Sequence, residues 1–188
     1  MKAKGFTLIE LVTVVVILGI VAVVAAPKFL DAQDDARNAV LASMAGTIKS
    51  TAETTYGKMA IEGLENHPYV TTHDNAGHEN ALVTDLPFSL CKMTSNTYCV
   101  FRFGYPDSDP VTLSNLVKGI RDYRSDDYDF VAIYGDSQDI ESAYITFRHN
   151  VETDSSNQEV LKEKRCYIKY TRAMKVGDRP TTEVIPCV

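Results

Sequence analysis

The chain has 188 residues, 45% of them hydrophobic, four cysteines and a formal charge of −6. That length allows one domain with a helical extension and leaves no room for two domains of ordinary size. An acidic balance removes the electrostatic basis for gripping a phosphate backbone, so no nucleic-acid partner is expected.

The chain opens on a short basic stretch, Met1-Lys2-Ala3-Lys4-Gly5, and then turns apolar. From Phe6 to Ala26, Glu10 is the only formally charged side chain. A helix of roughly 21 residues spans about 30 Å, the thickness of a bilayer's hydrocarbon core. Val and Ile abound, as they do in strands, but strands stop after about 4–8 residues and this run does not. A lone span in lipid must satisfy its own amides, which only a helix does. The run is therefore read as a membrane helix. Outside it, the composition is that of an ordinary soluble domain.

Glu10 is the anomaly, because a carboxylate inside hydrocarbon is costly and tolerable only near an interface or beside a partner. Cleavage after Gly5 would place a new amino group on Phe6, about one helical turn from Glu10. It would also remove Lys2 and Lys4, taking the formal charge from −6 to −8. An ordinary secretory signal peptide also has a basic start and an apolar core, and Val24-Ala25-Ala26 would suit its cleavage. The length of the run and the acid near its start favour a retained helix. Lys2 and Lys4 before the span orient the start to the cytoplasm and the remainder outside.

Gly5-Phe6-Thr7-Leu8-Ile9-Glu10 followed by a long apolar helix resembles the N-terminus of type IV pilins. Ala26-Pro27-Lys28-Phe29-Leu30 and Gln33-Asp34-Asp35-Ala36-Arg37 look like the mannose-sensitive haemagglutinin pilin branch. The resemblance is strong over residues 1 to about 60 and beyond that rests on the cysteine layout and the order of helix and strands. It implies that a prepilin peptidase cuts after Gly5 and that the Phe6 amine is methylated. It also implies that Glu10 pairs with that amine on a neighbouring subunit. In such pilins the segment between a glycine and a proline, here Gly19 and Pro27, unwinds during assembly.

The bottom-up reading of that segment is a bend or loosening, since Pro27 has no N–H for the Val23 carbonyl and Gly19 lowers helix preference. Beyond it the pattern becomes amphipathic. Ala36, Val40, Met44, Ile48, Ala52 and Met59 recur at helical spacing, so one face is expected to lie on a globular head. Gly57 or Gly63 is expected to end the helix, which from Phe6 to Tyr56 would measure roughly 75 Å.

Residues 64–97 carry turn chemistry at Asn66-His67-Pro68 and Asp74-Asn75-Ala76-Gly77 and read as a connecting loop. Asp109-Pro110 is an N-cap with proline at the first helical position, and Leu113, Leu116, Val117 and Ile120 predict a helix to about Asp122. Strands are predicted at Tyr98–Tyr105, Asp129–Tyr134, Ala143–Phe147, Arg165–Thr171 and Thr182–Ile185. Gly135 to Asp139 would join two of them as a hairpin, and Glu152–Glu159 reads as a polar loop without core residues. The fold class is α+β: a long N-terminal helix, half membrane and half amphipathic, packed on an antiparallel sheet. The organisation expected is a leader over 1–5, a membrane or filament-core helix over 6–27, and a head over 28–188 that includes the second half of the helix.

Catalytic signatures are missing: no phosphate-binding glycine loop, nucleophile elbow or paired-cysteine zinc spacing occurs. His67, His73, His78 and His149 match no ligand spacing. Asp126, Asp127 and Asp129, or Asp136, Asp139 and Glu141, are acidic groups that miss the EF-hand pattern, although related pseudopilins hold calcium. No enzyme activity, cofactor or metal is expected. For an exported domain an even cysteine count favours disulfides, and four cysteines allow three pairings. Nearness in sequence favours Cys91 with Cys99 and Cys166 with Cys187, and the second pair resembles the C-terminal disulfide loop of type IV pilins.

The resemblance implies a structural subunit, held in the inner membrane as a precursor and then polymerised into a helical surface filament for adhesion. The resemblance implies a prepilin peptidase, an assembly ATPase and a membrane platform as partners, together with a receptor the sequence does not name. The alternatives are a pseudopilin or minor pilin, which shares the same N-terminus, and a secreted enzyme or binding protein with a removed signal peptide.

Overall fold

The computed structural model describes residues 6–73, 81–122 and 129–187. Two units make up the chain, Met1–Arg37 and Asn38–Val188. The first helix, α1, covers Leu8–Ile61 and so contributes to both.

In the second unit α1 presents Leu41, Ile48, Ala52, Thr55 and Met59, a seam in steps of seven, four, three and four residues, all buried. The predicted face is right from Met44 onward, which packs against the core, and displaced before it. Val40 is 46% exposed and Ala36 is exposed, while Leu41 is fully enclosed. Apolar character alone could not separate adjacent Val40 and Leu41. Gly57 lies inside α1, and the helix ends at Gly63, whose φ is +72°. There the Gly63 N–H donates to the Ala60 carbonyl at 3.1 Å and the Leu64 N–H to the Met59 carbonyl at 2.9 Å. This is a Schellman cap, and Leu64 packs in the same cluster as Met59.

The stretch predicted as a loop contributes two short strands, β1 (Val70–Thr71) and β2 (Leu82–Val83). They join β3 (Val100–Arg102) and β4 (Tyr105–Pro106) in a sheet of order β2-β1-β3-β4. Two residues were too few to show a periodicity, and β1–β2 is a parallel pair. The single strand predicted at Tyr98–Tyr105 is a hairpin turning at Phe103 and Gly104, with φ of +49° and +80°. Both positive values define a type I′ turn. The Phe103 N–H is held by the His67 carbonyl at 2.9 Å. A Cβ on Gly104 would lie 2.8 Å from the Tyr56 ring, so glycine is required there for space as well as conformation.

Asp109 caps α2 (Pro110–Leu116), accepting from the Thr112 N–H at 2.7 Å and the Thr112 hydroxyl at 2.8 Å. Its other oxygen accepts from Tyr134 at 2.8 Å and Tyr98 at 3.1 Å. Burial, and then the Asp109 charge, push the Tyr134 phenol far above its ordinary value. The helix stops before the predicted Asp122. Gly119 turns at φ +90°, and β5 (Ile120–Asp122) pairs in parallel with β6 (Phe130–Tyr134). Ile120 buries its side chain on the sheet instead of on the helix.

The main sheet has the order β11-β10-β7-β6-β5, with β7 at Ser142–Phe147, β10 at Tyr167–Thr171 and β11 at Thr181–Ile185. All pairs in this sheet except β5–β6 are antiparallel. Ala132, Ile145, Ile168 and Tyr170 pack with Leu41 and Ile48 of α1. Each such fully buried large side chain contributes about 1.5–3 kcal/mol. Tyr170 satisfies its hydroxyl on the Pro106 carbonyl at 2.8 Å. The opposite face carries Val131, Ile133 and Tyr144. The region predicted as a coreless polar loop covers it, forming the hairpin β8 (Val151–Thr153) and β9 (Glu159–Leu161). Val151 and Leu161 flank the polar run and supply its apolar contact. The architecture is α+β with an antiparallel-rich sheet.

Candidate functional site

The apolar segment starts with a precise local arrangement. Thr7 is the N-cap of α1 and Glu10 its third residue, the spacing of a capping box. The Thr7 N–H donates to Glu10 Oε2 at 2.9 Å, the Thr7 hydroxyl donates to the same oxygen at 2.6 Å, and the Glu10 N–H reaches Thr7 Oγ1 at 3.4 Å. An isolated carboxylate thus acquires two donors within its own turn, and its charge faces the positive end of the helix dipole. In the sequence, the Thr-x-x-Glu spacing is the signal for this role of Thr7.

Every side chain from Phe6 to Ala25 is exposed. Leu8–Ala25 is long and apolar enough to cross a membrane. α1 continues through Gly19 and Pro27. Gly19 leaves a notch bordered by Val16, Ile20, Val23 and Val24, and no atom approaches within 4 Å of where its Cβ would stand. Gly5 and the residues before it, predicted as a leader, lie outside the described residues.

In the second unit, Cys91 is bonded to Cys99 and Cys166 to Cys187. Cys166 has a left-handed φ of +62°, a conformation costly for a residue with a Cβ. Two hydrogen bonds hold it there: its N–H donates to the Pro186 carbonyl at 3.1 Å, and its carbonyl accepts from Thr146 at 2.7 Å. The turn at Lys175–Asp178 within this loop is largely exposed, including Val176.

Of the acidic residues singled out, Asp126 and Asp127 lie outside the described residues, as do His78 and the Asp74–Gly77 turn. Asp136 and Asp139 border the β6–β7 connection, and Asp139 is occupied by protein. It accepts from Lys169 Nζ at 2.6 Å, Ser142 at 2.9 Å and Tyr144 at 3.0 Å. Among the described residues no group of three or more His, Cys, Asp and Glu is arranged to hold a metal ion. His149 stacks on Phe147 and His73 meets the edge of Tyr98.

Burial pushes the Asp139 carboxyl up, but the hydrogen bonds from Lys169, Ser142 and Tyr144 outweigh it and hold the group below its ordinary value. A carboxyl depressed on folding stabilises the fold above its unfolded pKa, and that contribution disappears as pH falls through the folded value. Asp139→Asn should therefore cost about 1–3 kcal/mol at neutral pH. The deficit should shrink as pH falls below about 4, the ordinary range of an aspartate in the unfolded chain, and disappear once the folded carboxyl is protonated as well. Urea unfolding of both proteins at pH 7 and pH 3 checks this; a deficit that stays constant with pH would refute the ion pair's role.

Residues 1–26 match the family model described as "Prokaryotic N-terminal methylation motif". Over 50 residues the chain is 48% identical to the "Type IV narrow pilus major component PilA5" of Thermus thermophilus. That stretch is 27% of this chain and 43% of the relative, so less than half of the relative's length is matched. No solved structure matches. The chain thus carries the N-terminal methylation motif of prokaryotic pilins on an α+β fold, and part of it is similar to a type IV pilin.

Proposed function

We propose that the chain is a structural subunit of a type IV pilus rather than an enzyme. One observation carries this reading: a single carboxylate stands in the first turn of a fully exposed apolar helix, directly behind Gly5-Phe6 in a matched methylation motif. The helix is stored in the inner membrane and later packs against its copies in a filament core, exchanging lipid contact for protein contact. Processing after Gly5 frees the Phe6 amine, which is methylated. Glu10 then turns from Thr7 to the Phe6 amine of a neighbouring subunit, so that two isolated charges in an apolar core become one pair. Gly19 and Pro27 mark the segment that loosens as the subunits stack.

On this reading the functional parts are the leader at 1–5, the core helix at 6–27 and a head at 28–188, with disulfide-clamped surfaces outward for adhesion. Assembly would draw on a prepilin peptidase, an ATPase and a membrane platform, since the chain has no engine of its own. The segments at 26–30 and 33–37 favour the mannose-sensitive haemagglutinin branch.

The mature chain should begin at Phe6 and weigh one methyl group more than the unmodified peptide. Mass analysis of the terminal peptide, from protein made in its native host, tests this. A chain beginning near Pro27 would mean a removed signal peptide and would sink the reading. Filaments outside the cell distinguish a pilin from a pseudopilin with the same N-terminus.

A further inference from the structure

Asn38 is an unexpected residue in the middle of a helix. Its propensity there is poor, and nothing in the sequence near it explains its presence. In the fold its side chain meets the main chain of Cys187, 149 residues away. The Cys187 N–H donates to Asn38 Oδ1 at 2.7 Å, and Asn38 Nδ2 donates to the Cys187 carbonyl at 3.2 Å. Both main-chain polar groups of one residue are thus paired with both ends of one side-chain amide.

Three further observations give this pair a role. Asn38 is the first residue of the second unit, and Leu41, the first of the described side chains of α1 to be fully buried, follows one turn later. No described side chain of residues 6–37 is buried, and Arg37 pairs with Asp34 of its own helix at 3.6 Å. Cys187 is itself fixed by its bond to Cys166, whose carbonyl is held by Thr146 of β7.

We propose that Asn38 is an anchor that sets the point from which α1 resists local unwinding, and that the Cys166–Cys187 bond keeps this anchor in place. Unwinding that starts anywhere before residue 38 halts at the anchored turn, so the packed seam from Leu41 onward stays intact. Reduction of the bond frees the end of the chain and with it the first turn of the head. The anchor operates whether or not the chain polymerises.

Hydrogen exchange on the full chain in detergent reads this directly. Asn38→Ala should speed exchange of residues 38–46 about tenfold, the effect of losing two modest hydrogen bonds, while β7 and β10 stay as protected as in the parent. Asn38→Asp should fall between, because a carboxylate accepts from the Cys187 N–H but cannot donate to its carbonyl. Selective reduction of Cys166–Cys187 should speed the same segment in the parent and add little to Asn38→Ala. Unchanged exchange at 38–46 in Asn38→Ala overturns the proposal. So does an equal acceleration in β7 and β10, which would make Asn38 an ordinary contributor to global stability. Equal effects of reduction on parent and variant would refute the link to the disulfide.

Discussion

Glu10→Val should reach the membrane in at least parental amounts and yield less than about a tenth of the parent's filaments. The first half follows from removing a charged group from an apolar span. The second follows if the carboxylate is kept for assembly. The capping box adds a complication, because valine removes the acceptor for Thr7 as well as the charge. Glu10→Gln separates the two: its amide oxygen can still accept from the Thr7 N–H, but it brings no charge to the Phe6 amine. Filament loss in both variants supports the charge pair. Rescue by glutamine assigns Glu10 to hydrogen bonding. Normal filament yield with valine at matched membrane levels removes Glu10 from assembly altogether.

The two variants also expose the limit of what a motif can say. The N-terminal motif was legible because a Gly5-Phe6 junction, an apolar span and a misplaced charge follow closely on one another. The sheet was legible wherever strands ran five or six residues rich in β-branched and aromatic side chains, as at Phe130–Tyr134 and Ser142–Phe147. It was illegible at Val70–Thr71 and Leu82–Val83, where two residues pair only because β3 lies beside them. Glu152–Glu159 looked coreless because its apolar contact comes from Val151 and Leu161 at its edges. Asn38 left no trace at all, since its partner is a main chain at the far end of the sequence. Long-range polar pairs have no period, and periodicity is what sequence reading uses.

Cys187→Ser should lower the stability of the head by about 3 kcal/mol, the loop-closure contribution for cysteines 21 residues apart. For a domain of this size that is a fall of roughly 6–12 °C in the thermal midpoint. The loss should exceed that of Cys99→Ser, whose bond closes a shorter loop with only 8 residues of separation. Two features sharpen the expectation. Cys166 keeps its left-handed backbone in the variant with one tether fewer, so its hydrogen bonds to Pro186 and Thr146 should be the first in the sheet to open. The serine also leaves the Cys187 main chain chemically able to meet Asn38, so any loss of that contact reports the missing tether rather than a missing partner. Filament yield should fall with the stability of the head. Replacing residues 175–180 instead should leave assembly intact and change adhesion, because that turn is largely exposed and buries no part of the core. Unreduced peptide mapping gives the direct check. A Cys166 peptide joined to Cys91 or Cys99 refutes the pairing, free thiols refute the framework, and a midpoint unchanged by Cys187→Ser refutes the loop's contribution.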